Sequence, residues 1–209
     1  MTSAGYRRLI ELLAMLCLCL GALSCSRQPE LPPLAVDAVV VAFGDSLTFG
    51  TGAGAGEGYP EVLEQLIGRR VVKAGVPGEI SADGLPRLVE VLDREQPALL
   101  LLCHGGNDLL RRLDPRQTGE NLRAMIRAAR ERGVAVALIA VPAPGLTLAP
   151  PAFYKELAKE FFLPMEAEIL ADILADSELK SEYIHPNAAG YRRLAEAVAA
   201  LLRTSGAIR

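Results

Sequence analysis

The sequence predicts an α/β fold: a parallel sheet with helices on both faces. Three observations carry that expectation. Short unbroken apolar runs at residues 39–43 (VVVAF), 98–103 (ALLLLC) and 134–141 (VAVALIAV) read as strands buried on both sides. Longer stretches with apolar residues at helical spacing lie between them. Two of the runs stop abruptly in polar residues, Gly44-Asp45-Ser46 and His104-Gly105-Gly106-Asn107-Asp108. In open sheets of this kind, binding and catalytic sites collect beyond the carboxyl ends of strands.

With 209 residues, 51% of them hydrophobic, the chain suits one domain with a sizeable core. A net charge of -3 offers no electrostatic case for nucleic acid. Arg7 and Arg8 precede an almost wholly apolar segment, residues 12–23, and Gly21, Ala22 and Ser24 lead into Cys25. This is a signal-peptide pattern, too short for a comfortable membrane span. Gly-Ala-Leu-Ser-Cys resembles the lipobox of bacterial lipoproteins, so residues 1–24 are expected to be removed and Cys25 lipidated. The chain would then be exported to the cell envelope and held on a membrane, facing the periplasm or the exterior. Residues 25–35 read as a semi-extended tether: the stretch 26–35 has three prolines and no apolar periodicity, and its ten residues span about 30 Å at about 3.1 Å each. Cys17, Cys19 and Cys25 cluster near the N-terminus and only Cys103 falls in the body, so no internal disulfide is expected there. Cys103 reads as a small buried hydrophobe.

The body, residues 36–209, alternates strand and helix signals. After the opening strand come a glycine-rich loop at 50–58 and a helix at 59–67, whose Pro60 suits a first turn. The loop lacks the Gly-Lys-Ser/Thr of a phosphate cradle and the spacing of a dinucleotide fingerprint, so it reads as the rim of a cleft. A short strand at 70–73 precedes a turn at 74–79 and a helix at 82–95, with Leu85, Leu88, Val89 and Leu92 on one face. The strand at 98–103, a helix at 118–132 and the strand at 134–141 repeat the pattern. Residues 142–151 are a proline-rich loop, 153–162 a helix, and 163–167 a short fifth strand; residues 169–174 could extend either neighbour. A helix at 188–203, with Leu194, Val198, Leu201 and Leu202 on its apolar face, closes the chain.

Ser46 sits where a core strand ends, in a position that suits both an N-cap and a nucleophile. A serine hydroxyl is a weak nucleophile until a base takes its proton, and the base needs a third group to fix its tautomer. Only His104 and His185 are present to act as that base. His185 follows Glu182 by three residues, a spacing that can set both side chains on one side of a turn. His104 has Asp108 nearby but directly follows a buried strand, where a histidine bonded to backbone is the commoner outcome. Two histidines with scattered carboxylates show no metal-ligand spacing.

Gly44-Asp45-Ser46-Leu47, Gly78, Gly105-Gly106-Asn107-Asp108 and His185-Pro186-Asn187 resemble, in order and interval, the conserved blocks of the GDSL or SGNH hydrolase family. The likeness is closest to its bacterial lysophospholipase/thioesterase I and arylesterase branch. It implies a flavodoxin-like three-layer α/β/α sandwich with five parallel strands. It further implies Ser46 as nucleophile, His185 as base, an oxyanion hole made by the N–H groups of Ser46 and Gly78 and the side chain of Asn107, and no metal or organic cofactor. The family's triad acid is an aspartate three residues before the histidine, and here Glu182 stands in that place. The extra methylene predicts either a displaced turn or support of His185 by a backbone carbonyl.

Expected substrates are short-chain or aryl esters, acyl-thioesters, lysophospholipids or acetylated polysaccharides, acted on by a monomer. Pocket-forming residues are expected in 50–57, 76–80 and 142–150. Two other classes remain open: an envelope-associated binding protein that keeps the fold without turnover, and a nucleotide-dependent transferase or receiver, for which the phosphate motif or acidic cluster is missing.

Overall fold

A computed structural model describes residues 29–145 and 147–209. The expected signal peptide, residues 1–24, and the expected lipidation site, Cys25, fall outside those residues. Five strands, β1 (Val39–Gly44), β2 (Arg70–Gly75), β3 (Leu99–Cys103), β4 (Ala135–Ile139) and β5 (Met165–Glu166), form one sheet in the order β2-β1-β3-β4-β5. All neighbouring strands are parallel. Leu99 to Cys103 are fully buried, as a strand covered on both faces must be.

The covering helices pair by face. Helices α2 (Tyr59–Ile67) and α8 (Ala188–Thr204) pack together on one side. Helices α3 (Ser81–Glu95) and α5 (Pro115–Glu131) pack together on the other, where α6 (Ala152–Glu160) joins α5. Local chemistry sets the ends. Gly68, with φ 61°, terminates α2 in the left-handed region, and the Asn187 side chain accepts the Gly190 N–H at 3.0 Å to start α8. Helix α5 begins earlier than its apolar periodicity predicts, because the Asp114 carboxylate accepts the Arg116 N–H and Pro115 fills the first turn. Residues 169–174 extend neither neighbour: Ile169–Ala175 is a separate helix, α7, packed on α8.

Two one-turn helices carry no amphipathic period and are invisible to pattern reading: α1 (Ser46–Phe49) and α4 (Gly106–Leu110). Both start directly beyond carboxyl ends of strands, α1 after β1 and α4 after β3. Strand order reverses between β1 and β3, and a crevice opens at such a switch point.

The tether expected over residues 25–35 is shorter than its proline content suggests. Leu31 and Leu34 are buried, and their N–H groups donate to the carbonyls of Ser205 and Ala207, both at 2.8 Å. Two leucines among the prolines bind this segment to the end of α8, remote from Ser46, so the body begins by Leu31.

Candidate active site

Gly44 ends β1 with its Cα so close to the Cys103 carbonyl that any side chain would overlap it, which lets β1 and β3 converge below the site. Asp45 then caps α1, accepting the Leu47 N–H at 3.1 Å, and Ser46 becomes the first residue of that turn. The Ser46 hydroxyl lies 2.8 Å from His185 Nε2. On the far side of the ring, Nδ1 meets Glu182 Oε1, while Glu182 Oε2 accepts the Ile184 N–H at 3.1 Å. The longer side chain at 182 therefore reaches the imidazole, and no backbone carbonyl replaces it.

Burial tends to raise the Glu182 pKa, but the Ile184 N–H and the bond and charge of His185 outweigh it and hold the carboxyl below its ordinary range. An ionised carboxylate fixes the proton on Nδ1 and leaves the Nε2 lone pair for the serine hydroxyl. The loop carrying the histidine is pinned on both flanks. Lys180 bridges to Pro186, the Ser181 N–H donates to the His185 carbonyl at 3.0 Å, and the Asn187 amide donates to the Glu178 carbonyl at 2.8 Å.

Asn107, on α4, lies across the switch point from Ser46. Its side-chain amide donates to the Glu79 carbonyl at 3.0 Å and, at a longer 3.3 Å, to Asp45 Oδ2. Burial raises the Asp45 pKa, opposed by the electrostatic influence of the nearby His104 ring and by the Leu47 N–H. Gly78 adopts φ 81°, and its carbonyl accepts from the Arg111 guanidinium at 2.8 Å. Among the described residues the N–H groups of Ser46 and Gly78 have no protein acceptor. Those two free donors and one weakly held amide are what an oxyanion hole requires.

A narrow cavity of about 50 Å³ opens on Ser46 and His185, walled by Leu47, Leu110, Val141, Pro142, Leu148 and Ile184 among others. Only one of the three expected loop regions, 142–150, contributes to it; 50–57 and 76–80 do not. The glycine loop lies instead behind the histidine loop: the Tyr191 hydroxyl donates to the Thr51 carbonyl at 2.8 Å, and Gly52 packs against Pro186. Larger hollows lie around Pro29, Leu31 and Phe162, at the opposite end of the sheet from Ser46.

His104 does not pair with Asp108. It is fully buried, accepts the Gly105 N–H at Nδ1 (2.8 Å) and places Nε2 3.0 Å from Glu79. Asp108 accepts the Ser81 N–H at 2.8 Å and the Ser81 hydroxyl at 2.5 Å. Glu79 and Arg87 are thus site neighbours that sequence reading passed over. Their eight-residue separation spans a short loop and the first two turns of α3, a spacing with no signature.

A carboxylate, an imidazole and a hydroxyl joined in series are the arrangement by which serine hydrolases activate their nucleophile. Residues 42–193 match the GDSL-like Lipase/Acylhydrolase family, and the chain belongs to it. The chain is 37% identical over 106 residues to esterase TesA of Pseudomonas aeruginosa, a match covering 48% of this chain and 53% of that protein. It thus spans about half the length of that relative. It is 31% identical over 161 residues to thioesterase 1/protease 1/lysophospholipase L1 of Escherichia coli, covering 73% of this chain and 77% of the relative. The crystal structure of TesA superposes with a TM-score of 0.72 at 29% identity, covering 80% of this chain and 99% of that one.

Proposed function

We propose that the protein hydrolyses carboxylic esters and thioesters with compact acyl groups through an acyl-enzyme on Ser46. The observation that carries this reading is the 2.8 Å approach of the Ser46 hydroxyl to a histidine whose other nitrogen meets a carboxylate. His185 Nε2 takes the hydroxyl proton as Oγ bonds to the acyl carbon. The charge gathering on the carbonyl oxygen is met by the N–H groups of Ser46 and Gly78 and by the Asn107 amide. Collapse breaks the bond to the leaving alcohol or thiol, which receives the proton from His185. Water, deprotonated by the same nitrogen, then releases the acid and restores Ser46.

The narrow apolar cavity favours a short acyl chain over a bulky one. Purified protein should turn over p-nitrophenyl acetate and butyrate and label with a fluorophosphonate, and Ser46→Ala should abolish both with the fold retained. Labelling of Ser46→Ala at the wild-type rate would end the assignment. Glutamate in place of the family's aspartate would favour a binding protein without turnover only if it left His185 unsupported, and the Glu182 carboxylate meets the ring.

We further propose export and lipidation at Cys25, on the strength of Arg7, Arg8, the apolar segment 12–23 and the Gly-Ala-Leu-Ser-Cys sequence. Because Leu31 is bound at the end of the body remote from Ser46, the leash would be only residues 26–30, and the cavity would open away from the anchoring membrane. Incorporation of labelled palmitate that disappears in Cys25→Ser tests the anchor; equal incorporation in that variant rejects it.

A further inference from the structure

Glu79 follows Gly78, and its carboxylate is gripped from three directions. Arg87 donates through Nε to one oxygen and through Nη2 to the other, both at 2.6 Å. The second oxygen also lies 3.0 Å from His104 Nε2. Since Nδ1 of that ring accepts the Gly105 N–H, the proton sits on Nε2 and is donated to Glu79. Arg87 in turn donates to the carbonyls of Ala74 at 3.1 Å and Gly44 at 3.2 Å, and its guanidinium lies 4.0 Å over the Phe43 ring. Gly84 makes room for the cluster: a side-chain carbon there would stand 2.5 Å from His104 Nε2 and 3.0 Å from Glu79.

We infer that Glu79, clamped by Arg87 and His104, is a positioning residue that sets the three oxyanion donors in register; the inference rests on the hydrolase reading above. Each donor hangs from a segment this cluster holds. The Ser46 N–H lies two residues beyond the Gly44 carbonyl that Arg87 binds. The Gly78 N–H belongs to the residue before Glu79, in a turn whose ends are tied by Val76 N–H to Gly44 at 3.1 Å and Glu79 N–H to Val76 at 3.2 Å. The Asn107 amide is oriented by the Glu79 carbonyl itself. A donor displaced by about half an ångström no longer meets the charge that develops in the transition state, while ground-state binding hardly notices.

Three variants test this, measured with p-nitrophenyl butyrate and by thermal unfolding. Glu79→Gln keeps the shape but drops the charge that fixes Arg87, and is expected to lower kcat about 10- to 100-fold with KM within about twofold. His104→Leu removes one donor and should lower kcat about 3- to 10-fold, whereas His104→Gln, whose amide can still donate to Glu79, should restore most of it. Combined with Asn107→Ala, Glu79→Gln should add less than its loss in the wild type, since one of the three donors it positions is already gone. Fully additive losses, an effect confined to KM, or unchanged kcat in folded variants would overturn the inference. If Glu79→Gln does not fold, the contrast between the two His104 variants decides, and equal kcat in both rejects it. Should the wild type turn over no ester, the hydrolase reading fails instead.

Discussion

Gly52 lies against the backbone of Pro186, so near that a side-chain carbon at position 52 would stand 2.5 Å from the Pro186 carbonyl oxygen and overlap the Ser181 hydroxyl. Its φ of 98° is a second reason that only glycine fits. The segment next to His185 is thereby braced from behind. Gly52→Ala should push that segment off its seat, lowering kcat about tenfold and destabilising the protein by about 1–3 kcal/mol. Activity and melting temperature of the variant measure the two effects, and a normal kcat would show that the brace does not position the histidine.

The same glycine shows where sequence reading stopped. Runs of glycine announce backbone freedom but not which neighbour exploits it, so residues 50–57 passed for a cleft rim when they support a loop 130 residues away. The strands were readable because burial on both faces leaves an unbroken apolar run, as in β3. Ser46 and His185 were readable because each sits in a short block at a strand end or ahead of a capped helix. The three-residue spacing put Glu182 on the same side of a turn as His185, but whether the longer side chain meets the ring or a backbone carbonyl does so instead depends on how that side chain folds back, which no spacing shows. The Glu79–Arg87–His104 cluster was hidden for a related reason, since it forms across three elements and leaves no spacing in the chain.

Glu182 bears directly on rate. Its carboxylate stays ionised below the usual glutamate range, so it can fix the His185 tautomer wherever the imidazole is neutral. The side chain is also 51% exposed, which lets water take over part of its hydrogen bonding. Glu182→Gln is therefore expected to reduce kcat/KM about 100- to 1,000-fold, and His185→Ala by more. Equal losses would show that the ring has no function without the carboxylate.

Asn107 offers a cleaner separation of binding from catalysis. Its 3.3 Å bond to Asp45 is the weaker of its two and is the one to yield when an oxyanion forms. Asn107→Ala should lower kcat about 100- to 1,000-fold, equivalent to about 2.7–4 kcal/mol of transition-state stabilisation, with KM nearly unchanged. A rise in KM at constant kcat would instead make Asn107 a ground-state binder.

Glu79 predicts how stability responds to acid. Burial pushes its carboxyl up, but the bonds from His104 and Arg87 and the Arg87 charge prevail and bring the pKa down from 4.5 to about 2. A group with a depressed folded pKa stabilises the protein fully above its unfolded pKa and loses that contribution as pH falls through the folded one. Between about pH 4.5 and pH 2 the wild type should therefore lose about 3 kcal/mol that Glu79→Gln, with no proton to take up, does not. Urea unfolding at pH 5, 4 and 3 would read this as a steeper decline in the wild type, approaching about 1.4 kcal/mol per pH unit. Parallel curves would mean that the Glu79 carboxylate is no better stabilised in the folded chain than in water, and that Arg87 and His104 do no more than offset its burial.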